Sequence, residues 1–489
     1  MLTAVVPVLV GPLQTLLALL PAILMALGSF LFALFTPRGF KRAVRFLWHQ
    51  KLLTACLGLA VVSYVTGYPF RHWQATGSAD ARSSDLSDVG NWPAFRGNSS
   101  RTGVDAEGLA ASGESNEPTA NRRYWDYADE PTVFSSPAIV GRQVIFATAG
   151  GIGPFSPAGR GAIVSVDATT GEELWKYAPD GFRATFSSPV VGEGRVVCGE
   201  GLHLVQDARV TCLDLGGHLV WEFTTKSHVE ATPAIADGRV FVGAGGDGFY
   251  CLALHDPQEG APRVLWHLPA SEFPDCESPP VVADGVVYFG LGEGGQAICA
   301  VSVADGEVLW RIPTPHPVFA PPTFVDISTS TSQPKADAST VDRSVAGRSR
   351  KLIVPMGRGN FIQSAAELLE ARLEQLKADG ASDADLERAR QAGRPEGEVW
   401  CIDVGTRRVE WRHKLPETVL GAASCVGDEL YFGARDGRVY CLGLDGKPRR
   451  SWNAREPIVA SVAAGRELVY AVTVTGHLHA LRRTNFEPL

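Results

Sequence analysis

The sequence predicts an all-β fold: a seven-bladed β-propeller of four-stranded antiparallel blades, preceded by two transmembrane helices and carrying a helical-hairpin insertion in blade 5. Three observations predict it. From Trp92 onward the chain repeats with a period of about 40–50 residues. Each repeat opens with a small or hydroxyl residue and proline, then two apolar runs. Most repeats close on a strand bearing tryptophan, at Trp125, Trp175, Trp221, Trp266, Trp310, Trp411 and Trp452.

The opening runs justify the first two strands of each blade. SSPAIVGRQVIFAT from Ser135 is followed by SSPVVGEGRVVCGE, ATPAIADGRVFVGA and ESPPVVADGVVYFG, and the pattern loosens in FAPPTFVD, AASCVGDELYFGA and ASVAAGRELVYAV. Apolar runs of five or six residues bounded by turn residues mark buried or half-buried strands. Asp247-Gly248 and Asp436-Gly437 suit hairpin turns that need positive φ, and Asp305-Gly306 and Asp445-Gly446 do the same before a fourth strand. Four antiparallel strands per unit make a propeller blade. The seven openings and seven tryptophans are offset, because no tryptophan follows the last opening. The strand around Trp125 is therefore expected to join the three C-terminal strands and close the ring, leaving no open edge. An eighth blade would require one cryptic repeat.

The membrane elements come from the N-terminus. Met1–Thr36 carries no charge, and helices are expected at about 13–35 and 52–68. The basic stretch between them, with Arg38, Lys41, Arg42, Arg45 and Lys51, marks a cytoplasmic loop. Residues 1–73 thus read as an anchor in the inner membrane, in contact with the lipid bilayer, with everything beyond on the periplasmic side. Three alternatives stand beside this one: a cleaved signal peptide, for which Met1–Gln14 lacks the basic n-region; a lipoprotein site at Leu53-Thr54-Ala55-Cys56; and a later start making the segment from Lys41 a single signal anchor. Residues 74–90 are small and polar, a flexible linker. The propeller occupies 91–489, with an insertion at 327–397.

Charge and cysteine usage narrow the function. Residues 1–71 hold six basic residues and no acid; without them, 39 Lys and Arg face 53 Asp and Glu, a net of −14. So acidic a domain is not expected to bind nucleic acid. Of nine cysteines none is adjacent to another or in a CxxC pair, and Cys212, Cys251, Cys401 and Cys441 recur at one strand position, which suits packed thiols.

The insertion has its own pattern. Ile327–Ser349 is rich in Ser, Thr and Asp, and a strand resumes at LIVPMGRGN. Phe361–Gln391 then reads as helix, with Leu369, Leu373 and Leu376 on one face and a second helix capped by Ser382. The candidate interaction element is this hairpin with its leading loop: Arg358, Asn360, Phe361, Leu369, Leu373 and Leu376. A tolerated surface insertion is the plainer reading. His477-Leu478-His479 offers half a zinc site with no second pair, so no metal site is expected. The glycine-rich runs 245–248 and 290–295 do not lead from a strand into a helix, which removes a phosphate cradle. No catalytic set is recognisable by spacing.

The run Val166-Asp167-Ala168-Thr169-Thr170-Gly171-Glu172-Glu173-Leu174-Trp175, with its Asp-x-x-x-Gly-x-x-x-Trp spacing, resembles the pyrroloquinoline-quinone (PQQ)-like propeller repeat family. Trp92, Phe95, Arg96 and Gly97 look like the leading motif of its membrane or secreted members. The resemblance covers about residues 91–485. It includes quinoprotein dehydrogenases and the propeller lipoprotein of the outer-membrane assembly machinery, so it implies a fold more than an activity. For the dehydrogenases it implies a vicinal disulfide, an Asp base and calcium, and this chain has no Cys-Cys pair. The expected function is a non-catalytic, periplasm-facing binding or scaffold module for a protein or envelope polymer, with no cofactor. The alternative is a membrane-bound oxidoreductase holding PQQ with calcium in the channel.

Overall fold

The computed structural model describes residues 127, 133, 135–149, 161–202, 205–328, 348–360, 363–392 and 396–489. The N-terminal helices, the linker, the Trp92–Gly97 motif, Trp125 and Phe361 lie outside the described residues. Among the described residues no helix is long and apolar enough to cross a membrane.

Among the described residues seven antiparallel sheets follow one another in chain order. Blade 1 comprises β1 (Ala138–Val140), β2 (Gln143–Thr148), β3 (Ala162–Asp167) and β4 (Glu173–Tyr177). Blades 2 to 6 span 190–224, 234–269, 281–313, 323–415 and 424–453, each with four strands in chain order. Blade 7, 463–482, has three described strands. Third strands are buried along almost their whole length, whereas outer strands alternate, as befits a rim half in water. Innermost strands of successive blades adjoin, and apolar clusters such as Trp266 with Phe249 and Phe289 span the blade boundaries.

The repeated motif is a latch between neighbours. Its Asp turns the chain: Asp167 Oδ1 accepts from the Thr169 and Thr170 N–H groups, and Asp214 Oδ1 from those of Gly216 and His218. Its Trp crosses to the next blade. Trp175 Nε1 donates to Leu215 O at 2.9 Å, Trp221 to Leu254 O at 3.0 Å, Trp266 to Val303 O at 3.1 Å and Trp411 to Leu444 O at 2.8 Å. The motif glycine seats the arriving indole: Gly217 has φ +82°, and a Cβ there would stand 2.6 Å from Trp175 Cδ2. Opposite each Trp, in the third strand, sits a small residue (Ser165, Cys212, Cys251, Ala300 or Cys401), and a bulge follows it in every case. All described cysteines are free, and all but Cys425 are buried.

Among the described tryptophans of the set, Trp452 is out of place. In blade 6 Arg450, not Trp452, pairs with Cys441, while Trp452 pairs with Val439. Gly446 is followed four residues later by Arg450, so the guanidinium takes the latch position, bonding Glu429 and lying 5.7 Å from the Phe486 ring centroid. Trp452 still packs toward blade 7, 4.9 Å from the His479 ring.

The small-or-hydroxyl openings tie the blades at their inner edge. Ser187 Oγ donates to Ala231 O, Ser278 Oγ to Ala320 O, Thr323 Oγ1 to Ala423 O and Ser424 Oγ to Val462 O, at 3.2, 2.9, 2.8 and 2.6 Å. The strand around Trp125 expected to close blade 7 lies outside the described residues. Two residues on, Tyr127 packs edge-on against Phe146 at 5.5 Å and donates to Glu173, much as Tyr177 donates to Glu222 of blade 2.

Within the expected insertion 327–397, blade 5 keeps its second strand between two long connections. Its first strand ends at Ser328, its second is Arg348–Gly357, and helices α1 (Ala365–Ala378) and α2 (Asp383–Ala392) separate the second and third strands. Helix α1 begins later than Phe361, because Ser364 and Glu367 form a capping box that fixes the first turn. Ser382 caps α2 with Asp385 as its partner.

Candidate binding face

Segments leading from each outer strand into the next blade define one face. In most blades the second strand has glycine at or next to its end, because the next lead-in lies against it. A Cβ on Gly199 would meet Val229 at 2.4 Å, one on Gly290 Val318 at 2.3 Å, and one on Gly433 Ile458 at 2.3 Å. Lead-ins and the turns between second and third strands therefore share that face.

On blades 2 to 4 the lead-ins bring together Ser227, His228 and Glu277. His228 Nε2 stands 2.7 Å from Glu277 Oε1, both side chains nearly buried, and His228 Nδ1 is 3.2 Å from Ser227 Oγ. No spacing rule would find this set, since Glu277 lies 49 residues from His228. Ser227 Oγ also accepts the Gly246 N–H at 3.2 Å. The trio ties two lead-ins to a turn. Beside it, Glu200 holds Arg209 at 2.8 Å while only 1% exposed. The Tyr177 hydroxyl is pushed far above its ordinary range by burial and by Glu222.

On blades 4 to 6 the sequence-predicted loop is held rigidly. Gly357 N donates to Pro317 O at 3.3 Å and Gly359 N to Thr418 Oγ1 at 2.7 Å. Arg435 Nη1 donates to Asn360 O at 2.8 Å, and Arg435 N to Thr418 O at 3.0 Å. Burial lowers the Arg435 pKa, with Glu417 and Glu367 opposing the shift. Arg358 is half-buried in this loop and its Nε meets no acceptor. Neighbouring His316 is 2% exposed, and neither ring nitrogen has a partner. Burial, then the Arg358 charge, pull its pKa down.

Of the predicted interaction element, Asn360 and Arg358 belong to this loop. Leu369, Leu373 and Leu376 lie half-buried on α1, which packs on α2 with Leu386 buried. The stripe is thus not a free apolar face. His477 and His479 have rings 6.4 Å apart, and His477 bonds Glu456.

Among the described residues no group of three or more His, Cys, Asp or Glu is placed to hold a metal ion. The acids nearest the lead-ins are engaged: Glu277 with His228, Asp275 with the Glu293 N–H, Glu200 with Arg209.

Residues 159–317 match the family described as outer membrane protein assembly factor BamB. A curated relative, the serine/threonine-protein kinase AfsK of Streptomyces griseus, is 31% identical over 168 residues, 32% of this chain and 19% of the kinase. The chain thus spans about a fifth of that protein. BamB from Moraxella catarrhalis is similar at 12% identity and TM-score 0.38, covering 72% of this chain and 94% of that one. Quinohemoprotein alcohol dehydrogenase from Comamonas testosteroni is similar at 13% and 0.40, covering 81% and 79%. The Asp–Gly–Trp latch repeated from blade to blade agrees with the family match, and residues 159–317 resemble PQQ-like β-propeller repeats.

Proposed function

We propose that this chain is a non-catalytic binding module, anchored in the inner membrane by its N-terminal helices and presenting its propeller to the periplasm for a protein partner. The observation that carries the reading is the Gly357–Asn360 loop, pinned from two blades by Thr418 and Arg435, from which a helical hairpin rises. A rigid base under a projecting element lowers the ordering cost of association. The family match adds support, because its description names an assembly factor. Anchoring and sidedness rest on the uncharged N-terminal run and the basic loop after it.

The test compares the full-length chain with a variant in which a short Gly/Ser link replaces 361–392, by site-specific crosslinking in cells. The expected result is a discrete crosslinked partner that disappears with the hairpin at unchanged thermal midpoint. Titration with PQQ and calcium is the counter-test. One-to-one binding that raises the midpoint, as mass action requires, would overturn the proposal.

A further inference from the structure

The blade 4–blade 5 junction leaves two polar groups unanswered. His316 is 2% exposed with both ring nitrogens unpartnered, and Arg358 Nε is likewise buried without an acceptor. Chain connectivity forces them together: the Gly357 N–H to Pro317 O bond joins the residue after His316 to the residue before Arg358. Leaving such groups unpaired is costly, and a neutral imidazole always carries one donor. The surrounding elements do not satisfy them. Glu398, only 5% exposed, accepts from Trp400 Nε1 and has Lys414 at 3.9 Å, and Thr314 Oγ1 takes the His316 carbonyl rather than its ring.

We propose that Arg358 and His316 form a binding site for a single carboxylate. A guanidinium fork matches the two oxygens of a carboxylate, and the imidazole N–H supplies a further donor. Glu396 and Glu398 offset the charges of Arg358 and Lys414, so recognition there rests on the directed hydrogen bonds of the fork and the imidazole, which suit a planar carboxylate. The loop is already fixed by Thr418 and Arg435, so binding orders little. The site deepens the recognition reading and rests on it. It supplies an anchor for an acidic side chain of a partner, or for a free small carboxylate.

The experiment follows the imidazole 15N resonances of His316 in the histidine-labelled full-length chain, assigned with His316→Gln. Acetate, a capped peptide with one glutamate, its glutamine counterpart and inorganic phosphate are the probes. Acetate and the glutamate peptide should move the His316 signals saturably, and the glutamine peptide should not. Arg358→Gln should weaken both by about tenfold or more, and Arg358→Lys should keep part of the affinity. Should Arg358→Gln lower the thermal midpoint, the comparison rests on the Lys variant. Tighter binding of peptide than of acetate assigns the site to a protein carboxylate, and equal binding to a free one. An unmoved His316 signal, binding unchanged in the Arg358 variants, or phosphate binding as tightly as acetate would overturn the proposal. Because the readout is one imidazole, lost partner capture with carboxylate binding retained refutes only the recognition reading.

Discussion

The rim latch makes a quantitative prediction at Trp221. Its side chain is fully buried between blades 2 and 3, and its Nε1–H reaches the buried Leu254 carbonyl at 3.0 Å. Trp221→Phe keeps a large apolar ring and removes only the donor. The orphaned carbonyl should cost about 1–3 kcal/mol. Trp221→Ala also leaves a cavity and should cost about 3–5 kcal/mol. On the partner side of the preceding latch, Gly217→Ala meets two penalties. A left-handed φ of +82° disfavours any Cβ by about 1–2 kcal/mol, and that Cβ would sit 2.6 Å from Trp175 Cδ2. Urea denaturation followed by fluorescence and far-UV circular dichroism measures all three. The expected order of destabilisation is Trp221→Ala above Trp221→Phe, with Gly217→Ala clearly below wild type. A Trp221→Phe variant as stable as wild type would refute the latch, because it would mean the indole N–H contributes nothing between blades.

Two other predictions follow from charge and burial. Asp403 is held down to about 2, first by the Lys351 ammonium at 2.8 Å and then by the Thr406 N–H. The unfolded carboxyl binds its proton near 3.8, so between about pH 4 and pH 2 the unfolded chain carries more protons and stability falls as pH falls. Partial exposure limits this to about 1 kcal/mol, and Lys351→Met should flatten the acid limb of a pH–midpoint curve; an unchanged curve would sink the pairing. The Cys198 thiol is pushed up to about 12 by burial, leaving about one thiolate in ten thousand at pH 8. Iodoacetamide should label it only on unfolding, and rapid labelling of the native chain, read by mass spectrometry, would contradict its packing.

The latch was legible because it is local. Asp167, Gly171 and Trp175 lie within nine residues of one another, and the same spacing recurs at Asp214, Gly217 and Trp221 with one residue fewer in the turn. Counting tryptophans was less reliable than counting from the glycine: four residues after Gly446 stands Arg450, and the nearby Trp452 took its place in the reading. The hairpin was legible from its leucine spacing, but its start was not. Helical periodicity carries back to Phe361, whereas the Ser364–Glu367 capping box decides where the first turn closes.

The binding face was not legible, and the reason is built into a repeat architecture. Equivalent positions in neighbouring blades are adjacent in space yet about 45 residues apart in sequence, so no local window contains a site. His228 meets Glu277 because the ring brings successive lead-ins side by side, and Arg358 comes near His316 because the second strand of blade 5 ends against the lead-in before it. Repeats are alike where they build the ring; they differ where they can recognise something. Immediately before the inner residues Ser187, Ala231, Ser278, Ala320 and Gly421 stand Phe186, Glu230, Glu277, Phe319 and Leu420. The same register is therefore acidic on blades 3 and 4 and apolar on blades 2, 5 and 6. With Leu420 2% and Phe319 8% exposed, these side chains face the packing beneath the lead-ins more than water, so the difference between blades decides how each lead-in is seated.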